Sequence, residues 1–62
     1  MKYSEIHRKL RNAGCHIVNY GKKHPIWMSP LTGRLFETSY HNSEEAKSGT
    51  QKDIEKQSGV KL

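Results

Sequence analysis

Ile26-Trp27-Met28-Ser29-Pro30-Leu31-Thr32-Gly33-Arg34-Leu35-Phe36-Glu37-Thr38 is the stretch that decides the fold. Two short apolar runs flank Ser29 to Gly33, a cluster of residue types that turns favour, and this predicts a β-hairpin with strands over Ile26 to Met28 and Arg34 to Thr38. Pro25 has no N–H to give a ladder, so it belongs at a strand start or edge, and it presses His24 toward an extended backbone. Upstream, Cys15 to Tyr20 contains Ile17 and Val18 and stops at Gly21, which predicts one more strand and a turn. With Ile26 and Met28 facing the interior, alternation turns Trp27 outward, toward solvent or a partner. Ile17 and Val18 are adjacent, so alternation does not orient the first strand.

Helical periodicity brackets these strands. Tyr3, Ile6, Leu10 and Ala13 form one stripe of a helix, with Arg8, Lys9 and Arg11 on the other face. Ser4 is the expected N-cap, Glu5 suits the positive helix start, and Gly14 suits a left-handed terminator. His7 falls on the exposed side or at the stripe edge. Residues 39–48 are polar and read as a loop. Thr50 is the expected cap of a last helix running through Ser58, with Gly59 as its stop and Val60 packing just beyond. Ile54 is that helix's only aliphatic residue; Gln51, Glu55 and Ser58 stand where apolar residues would strengthen it. The order is α-β-β-β-α, an α+β single domain over 1–62, with a three-stranded antiparallel sheet and both helices on one face.

A chain of 62 residues has no room for a dinucleotide fold or a large substrate cavity. No apolar run approaches a membrane span, the N-terminus has no signal-like stretch, and a lone Cys15 offers neither an internal disulfide nor a thiolate zinc site. These features predict a soluble, cytoplasmic protein without membrane contact. The formal charge is +5, and all of it lies in residues 1–24, where Lys2, Arg8, Lys9, Arg11, Lys22 and Lys23 face only Glu5. Such a concentration marks either a polyanion binder or a solvated helix face.

Several segments together resemble the HicA-type toxins, small mRNA interferases of bacterial and archaeal toxin–antitoxin pairs. They are Met1-Lys2-Tyr3-Ser4-Glu5, Arg11-Asn12-Ala13-Gly14, Gly21-Lys22-Lys23-His24 leading into Ile26-Trp27, and Ser29-Pro30-Leu31-Thr32-Gly33. His41-Asn42-Ser43-Glu44-Glu45, Gly49-Thr50 and Lys56-Gln57-Ser58-Gly59-Val60 continue the match over nearly the whole length. The order and spacing carry the resemblance; no one segment does. It implies a double-stranded-RNA-binding-domain-like fold, metal-independent endoribonuclease activity on mRNA with no cofactor, a catalytic His24, and a HicB-type antitoxin covering that histidine. The chain departs from the family pattern at Lys22, Ser39, Tyr40, Gln51 and Glu55.

RNA can be cut without a metal because its 2′-hydroxyl is a built-in nucleophile; the protein must supply a base, charge stabilisation and an acid. An imidazole exchanges protons near neutral pH, so His24 is the expected base, with Lys22 and Lys23 neutralising the phosphate. The bland alternative is a His24 that only binds phosphate at a hairpin mouth. His41 is either the leaving-group acid, a phosphate ligand, or a loop residue that positions the chain. Lys2, Arg8, Lys9 and Arg11 along the first helix join Lys22 and Lys23 as expected RNA contacts. Tyr20 and Trp27 flank the basic turn and either stack on bases or pack in the core; with His24 they are the expected partner contacts. His7, Cys15, His16, His24 and His41 contain no tight pair of the His-x₃-His kind, so no metal site is expected. The main rival to an enzyme is a non-catalytic RNA-binding module on the same basic residues; a further alternative is a structural subunit acting only through its partner.

Overall fold

The structure, a computed structural model, describes all residues from Met1 to Leu62. Its elements are α1 (Tyr3–Asn12), β1 (His16–Tyr20), β2 (Pro25–Met28), β3 (Leu35–Glu37) and α2 (Ser48–Ser58). The strands form one antiparallel sheet in the order β1-β2-β3. The expected α+β order therefore holds, with element ends shifted by one to three residues.

The orientation of the hairpin is the reverse of the sequence expectation. Trp27 is fully buried, while Ile26 and Met28 are only half-buried. The register places Ile17, Trp27 and Phe36 side by side across the three strands. That row joins Ile6 and Leu10 of α1, Ile54 of α2, Cys15, Ala46 and Val60 in one core. The physical reason is twofold: an indole removes more apolar surface from water than either aliphatic neighbour, and its N–H finds a buried acceptor in Thr38. Because side chains alternate, this choice turns every other strand residue outward. Leu35 is accordingly 61% exposed. Burial also removes Trp27 from the set of partner-contacting residues.

β1 is resolved by an irregularity. The register slips between Ile17 and Asn19, so Val18 is the extra residue of a bulge. Ile17 can then face the core while its neighbour Val18 lies exposed.

Neither helix begins on a side-chain cap. The residues flanking the starts are Lys2 and Lys47, not Ser4 and Thr50. α1 is capped instead by the loop at residues 39–47: Tyr3 N–H donates to the Glu44 carbonyl and Ser4 N–H to the Asn42 carbonyl, both at 3.0 Å. These bonds satisfy backbone donors that a helix start leaves free. The same loop buries Ala46, bridges Glu45 to Lys2, and places the Glu45 carboxylate 2.7 Å from the N-terminal ammonium. It is polar in composition yet works as a strap across α1. Gly14 and Gly59 take the left-handed backbone expected of helix terminators, at φ 94° and 73°.

The Ser29–Gly33 turn serves α2 in the same way. The buried Ser29 hydroxyl donates to the Ser58 carbonyl, and Thr32 Oγ1 donates to the Gln57 carbonyl at 2.7 Å. Both acceptors belong to the last turn of α2, whose carbonyls have no partner within the helix. Glu55, a poor packing residue in sequence terms, accepts the Leu62 N–H at 2.7 Å. Replacing Ser29 by Ala strands the buried Ser58 carbonyl and is expected to destabilise the fold by about 1–3 kcal/mol. Urea unfolding should show a lower midpoint at an unchanged m value.

Candidate active site

His24 stands at the mouth of the β1–β2 hairpin, between the basic turn and Pro25. It is exposed, and its Nδ1 lies 3.0 Å from the Thr38 backbone carbonyl. A carbonyl only accepts, so Nδ1 carries a proton, and in the neutral ring Nε2 keeps its lone pair. The ring borders two hollows. One, of about 470 Å³, is lined by Lys22, Lys23, His24, Ser39, Tyr40 and His41. The other, of about 280 Å³, is lined by Tyr3, His24, Glu37, Thr38, Ser39 and Thr50.

The structure thus brings together four residues that the sequence places in two segments: Lys22, Lys23 and His24 on the turn, and His41 on the loop after β3. Their meeting has an identifiable cause. Tyr40 donates its hydroxyl to the Gly21 carbonyl at 2.7 Å, tying the loop to the turn. Gly21 permits the close turn, because a Cβ there would stand 2.7 Å from the His24 carbonyl oxygen. Tyr40 is a site residue that sequence reasoning noted only as a departure from the family pattern. A tyrosine beside a histidine in an otherwise polar loop was the available signal.

The other expected site residues are placed differently. Lys2, Arg8 and Arg11 are exposed on or beside α1, Lys9 is half-buried, and none of the four lines either hollow. Arg11 is committed in part to the core, with its guanidinium carbon 5.2 Å from the centre of the Trp27 ring. That distance fits a cation–π contact. Tyr20 is 74% exposed at the end of β1, free to meet a ligand or partner. His16 is exposed at the start of β1. No three His, Cys, Asp or Glu side chains are grouped to hold a metal ion.

His7 resolves in favour of the stripe edge, not the exposed side of α1: it is 6% exposed. Its Nδ1 lies 2.9 Å from Asn42 Oδ1, its Nε2 lies 2.8 Å from Thr38 Oγ1, and its ring centre is 5.2 Å from that of Trp27. The polar neighbours come from segments more than thirty residues away, so helical periodicity alone could not place this histidine inside. Desolvation holds its pKa below the ordinary value of 6.5, the Arg11 charge acts in the same direction, and the Asn42 hydrogen bond opposes both. Glu45 is also lowered, by its hydrogen bond to the N-terminal ammonium and that group's charge.

Comparison with known protein-family models, with curated proteins and with solved structures finds no match for this chain. No helix is long and apolar enough to cross a membrane.

The lowered pKa of His7 has a measurable consequence. Between the folded and unfolded pKa values the unfolded chain binds the extra proton, so stability rises with pH there. The His7 contribution is complete above the ordinary pKa of 6.5 and is lost as pH falls from there toward the lower folded value. Thermal unfolding at about pH 7.5 and about pH 5.5 should show a drop in Tm for the native chain. His7→Gln, which cannot take up the proton, should show a smaller drop.

Proposed function

We propose that the protein is a metal-independent endoribonuclease, the toxin of a HicA-type pair, that cleaves mRNA at His24 and is silenced by a HicB-type antitoxin laid over that residue. The observation that carries the reading is the hollow lined by Lys22, Lys23, His24 and His41, with the His24 imidazole held at Nδ1 by the Thr38 carbonyl. The α-β-β-β-α order is compatible with a double-stranded-RNA-binding-domain-like fold.

In this reading the scissile phosphate sits against Lys22 and Lys23, whose charges offset the growing negative charge of the five-coordinate transition state. His24 Nε2 removes the proton from the 2′-hydroxyl, and the 2′-oxygen bonds to phosphorus. The P–O5′ bond breaks, and the leaving oxygen takes a proton, with His41 on the same hollow as the candidate donor. The products are a 2′,3′-cyclic phosphate and a 5′-hydroxyl. The two hollows flanking His24 give the strand a path across the ring, phosphate on the lysine side and the adjoining nucleoside on the Thr38 side. Lys2, Arg8 and the exposed part of Arg11 would hold flanking phosphates, a term that weakens as salt rises.

The rival reading is an RNA-binding module without catalysis, favoured by the four cations along α1 that lie outside both hollows. One substitution separates the two. His24→Ala should abolish cleavage of a single-stranded RNA while binding, measured by fluorescence anisotropy, changes little. A substrate with a 2′-deoxy sugar at the cut position should remain intact. Cleavage of the deoxy substrate would rule out this chemistry, and a native chain that binds RNA but never cuts it would establish the module. His41→Ala then decides whether the second imidazole is the acid: unchanged turnover in a folded variant removes it from the mechanism.

A further inference from the structure

Thr38 touches both the buried histidine and the exposed one. Its side-chain oxygen lies 2.8 Å from His7 Nε2 and 2.9 Å from Trp27 Nε1, while its backbone carbonyl lies 3.0 Å from His24 Nδ1. The protons in this group can be assigned from what each atom is able to do. Trp27 Nε1 only donates, so Thr38 Oγ1 accepts from it. Asn42 Oδ1 only accepts, so His7 Nδ1 carries a proton and donates to it at 2.9 Å. In the neutral ring Nε2 is then bare, and the Thr38 hydroxyl donates to it. Hydrogen bonds therefore run one way, from Trp27 through Thr38 and His7 to Asn42. Turning the Asn42 amide over would place a proton on His7 Nε2, and the buried Thr38 hydroxyl would lose its acceptor. The one-way assignment gives every donor and every acceptor in this group a partner, as buried polar groups favour.

Thr38 needs this support. β3 ends at Glu37, so Thr38 lies just past the strand, and its own N–H reaches the Pro25 carbonyl only at 3.3 Å. The side chain is the firmer anchor: fixed at Oγ1 on both sides, the residue can swing its carbonyl very little. Asn42 is anchored in turn, since its backbone carbonyl caps α1 at Ser4.

We infer that His7 is a positioning residue for the His24 site: through Thr38 it aims the carbonyl that keeps the His24 proton on Nδ1 and leaves Nε2 free to act as a base. The inference rests on the reading of His24 as the base. His7 touches no substrate; it sets the tautomer of a ring that does, as partners behind the reacting group do in other histidine sites.

The test is the ¹⁵N spectrum of the imidazoles in the purified chain, which reports the tautomer of each histidine without any RNA. At neutral to mildly basic pH, His24 in the native chain should be in the Nδ1–H form. His7→Phe keeps a ring in the core but offers Thr38 no acceptor, and there His24 should become a mixture of tautomers. His7→Gln, which can both accept from Thr38 and donate to Asn42, should restore the Nδ1–H form. A folded His7→Phe chain with an unchanged His24 spectrum would overturn the inference, because Thr38 would then be held well enough by Trp27 and the sheet without His7. Should His7→Phe not fold, Thr38→Val decides, since it keeps the backbone carbonyl but removes the hydroxyl that His7 holds: a shift of His24 toward the mixture supports the coupling, and none overturns it. In cleavage assays kcat should fall by about tenfold to a hundredfold in His7→Phe, with KM little changed and recovery in His7→Gln. A chain that cuts no RNA would end the catalytic reading, while the imidazole spectra would still decide the link between the two histidines.

Discussion

An indole buried without access to water must find an acceptor for its N–H, and in this protein the acceptor is Thr38 Oγ1. Much of the structure depends on that bond. It fixes which side of the hairpin faces the helices, because Trp27 can go inside only where its nitrogen is satisfied. It fixes Thr38 just past the end of β3, and through Thr38 it engages the buried His7 and the exposed His24. Core and candidate site are thus built around the same residue, one through its side chain and the other through its backbone.

A chain of this size buries few aliphatic side chains, with eight apolar residues in the core cluster. Cross-chain polar contacts make up for this by satisfying helix ends with distant groups. The loop at 39–47 gives its carbonyls to the start of α1, and hydroxyls of the Ser29–Gly33 turn cover the end of α2. Each such bond joins segments distant in sequence, so it orders two elements for one interaction. The strap also carries Tyr40, which draws the basic turn against the loop and so completes the larger hollow.

The charge of the chain is divided by this arrangement. Lys22 and Lys23 border the larger hollow, while Arg8 and Lys2 stay outside it and Arg11 lies over the Trp27 ring. In the proposed reaction the first pair acts on the phosphate that changes, and the others act only on strand affinity. That division separates effects on turnover from effects on binding, which net charge alone would merge.

Local chemistry was enough to read the element order. The stripe of Ile6 and Leu10, the turn residues around Pro30, Pro25 at a strand start, and the helix-ending Gly14 and Gly59 each act through their own backbone or immediate neighbours. The grouping of Lys22, Lys23 and His24 was legible for the same reason, since adjacent residues on a tight turn stay together in any fold. The tertiary structure decided the rest. Alternation names two faces of a strand but not which is inner, so Trp27 was placed by Thr38 and by packing. The bulge at Val18, the burial of His7, the capping of α1 by a polar loop and the arrival of His41 beside His24 all depend on partners far along the chain. No local pattern records those partners, because the energy of such contacts belongs to pairs of segments and exists only once both are in place.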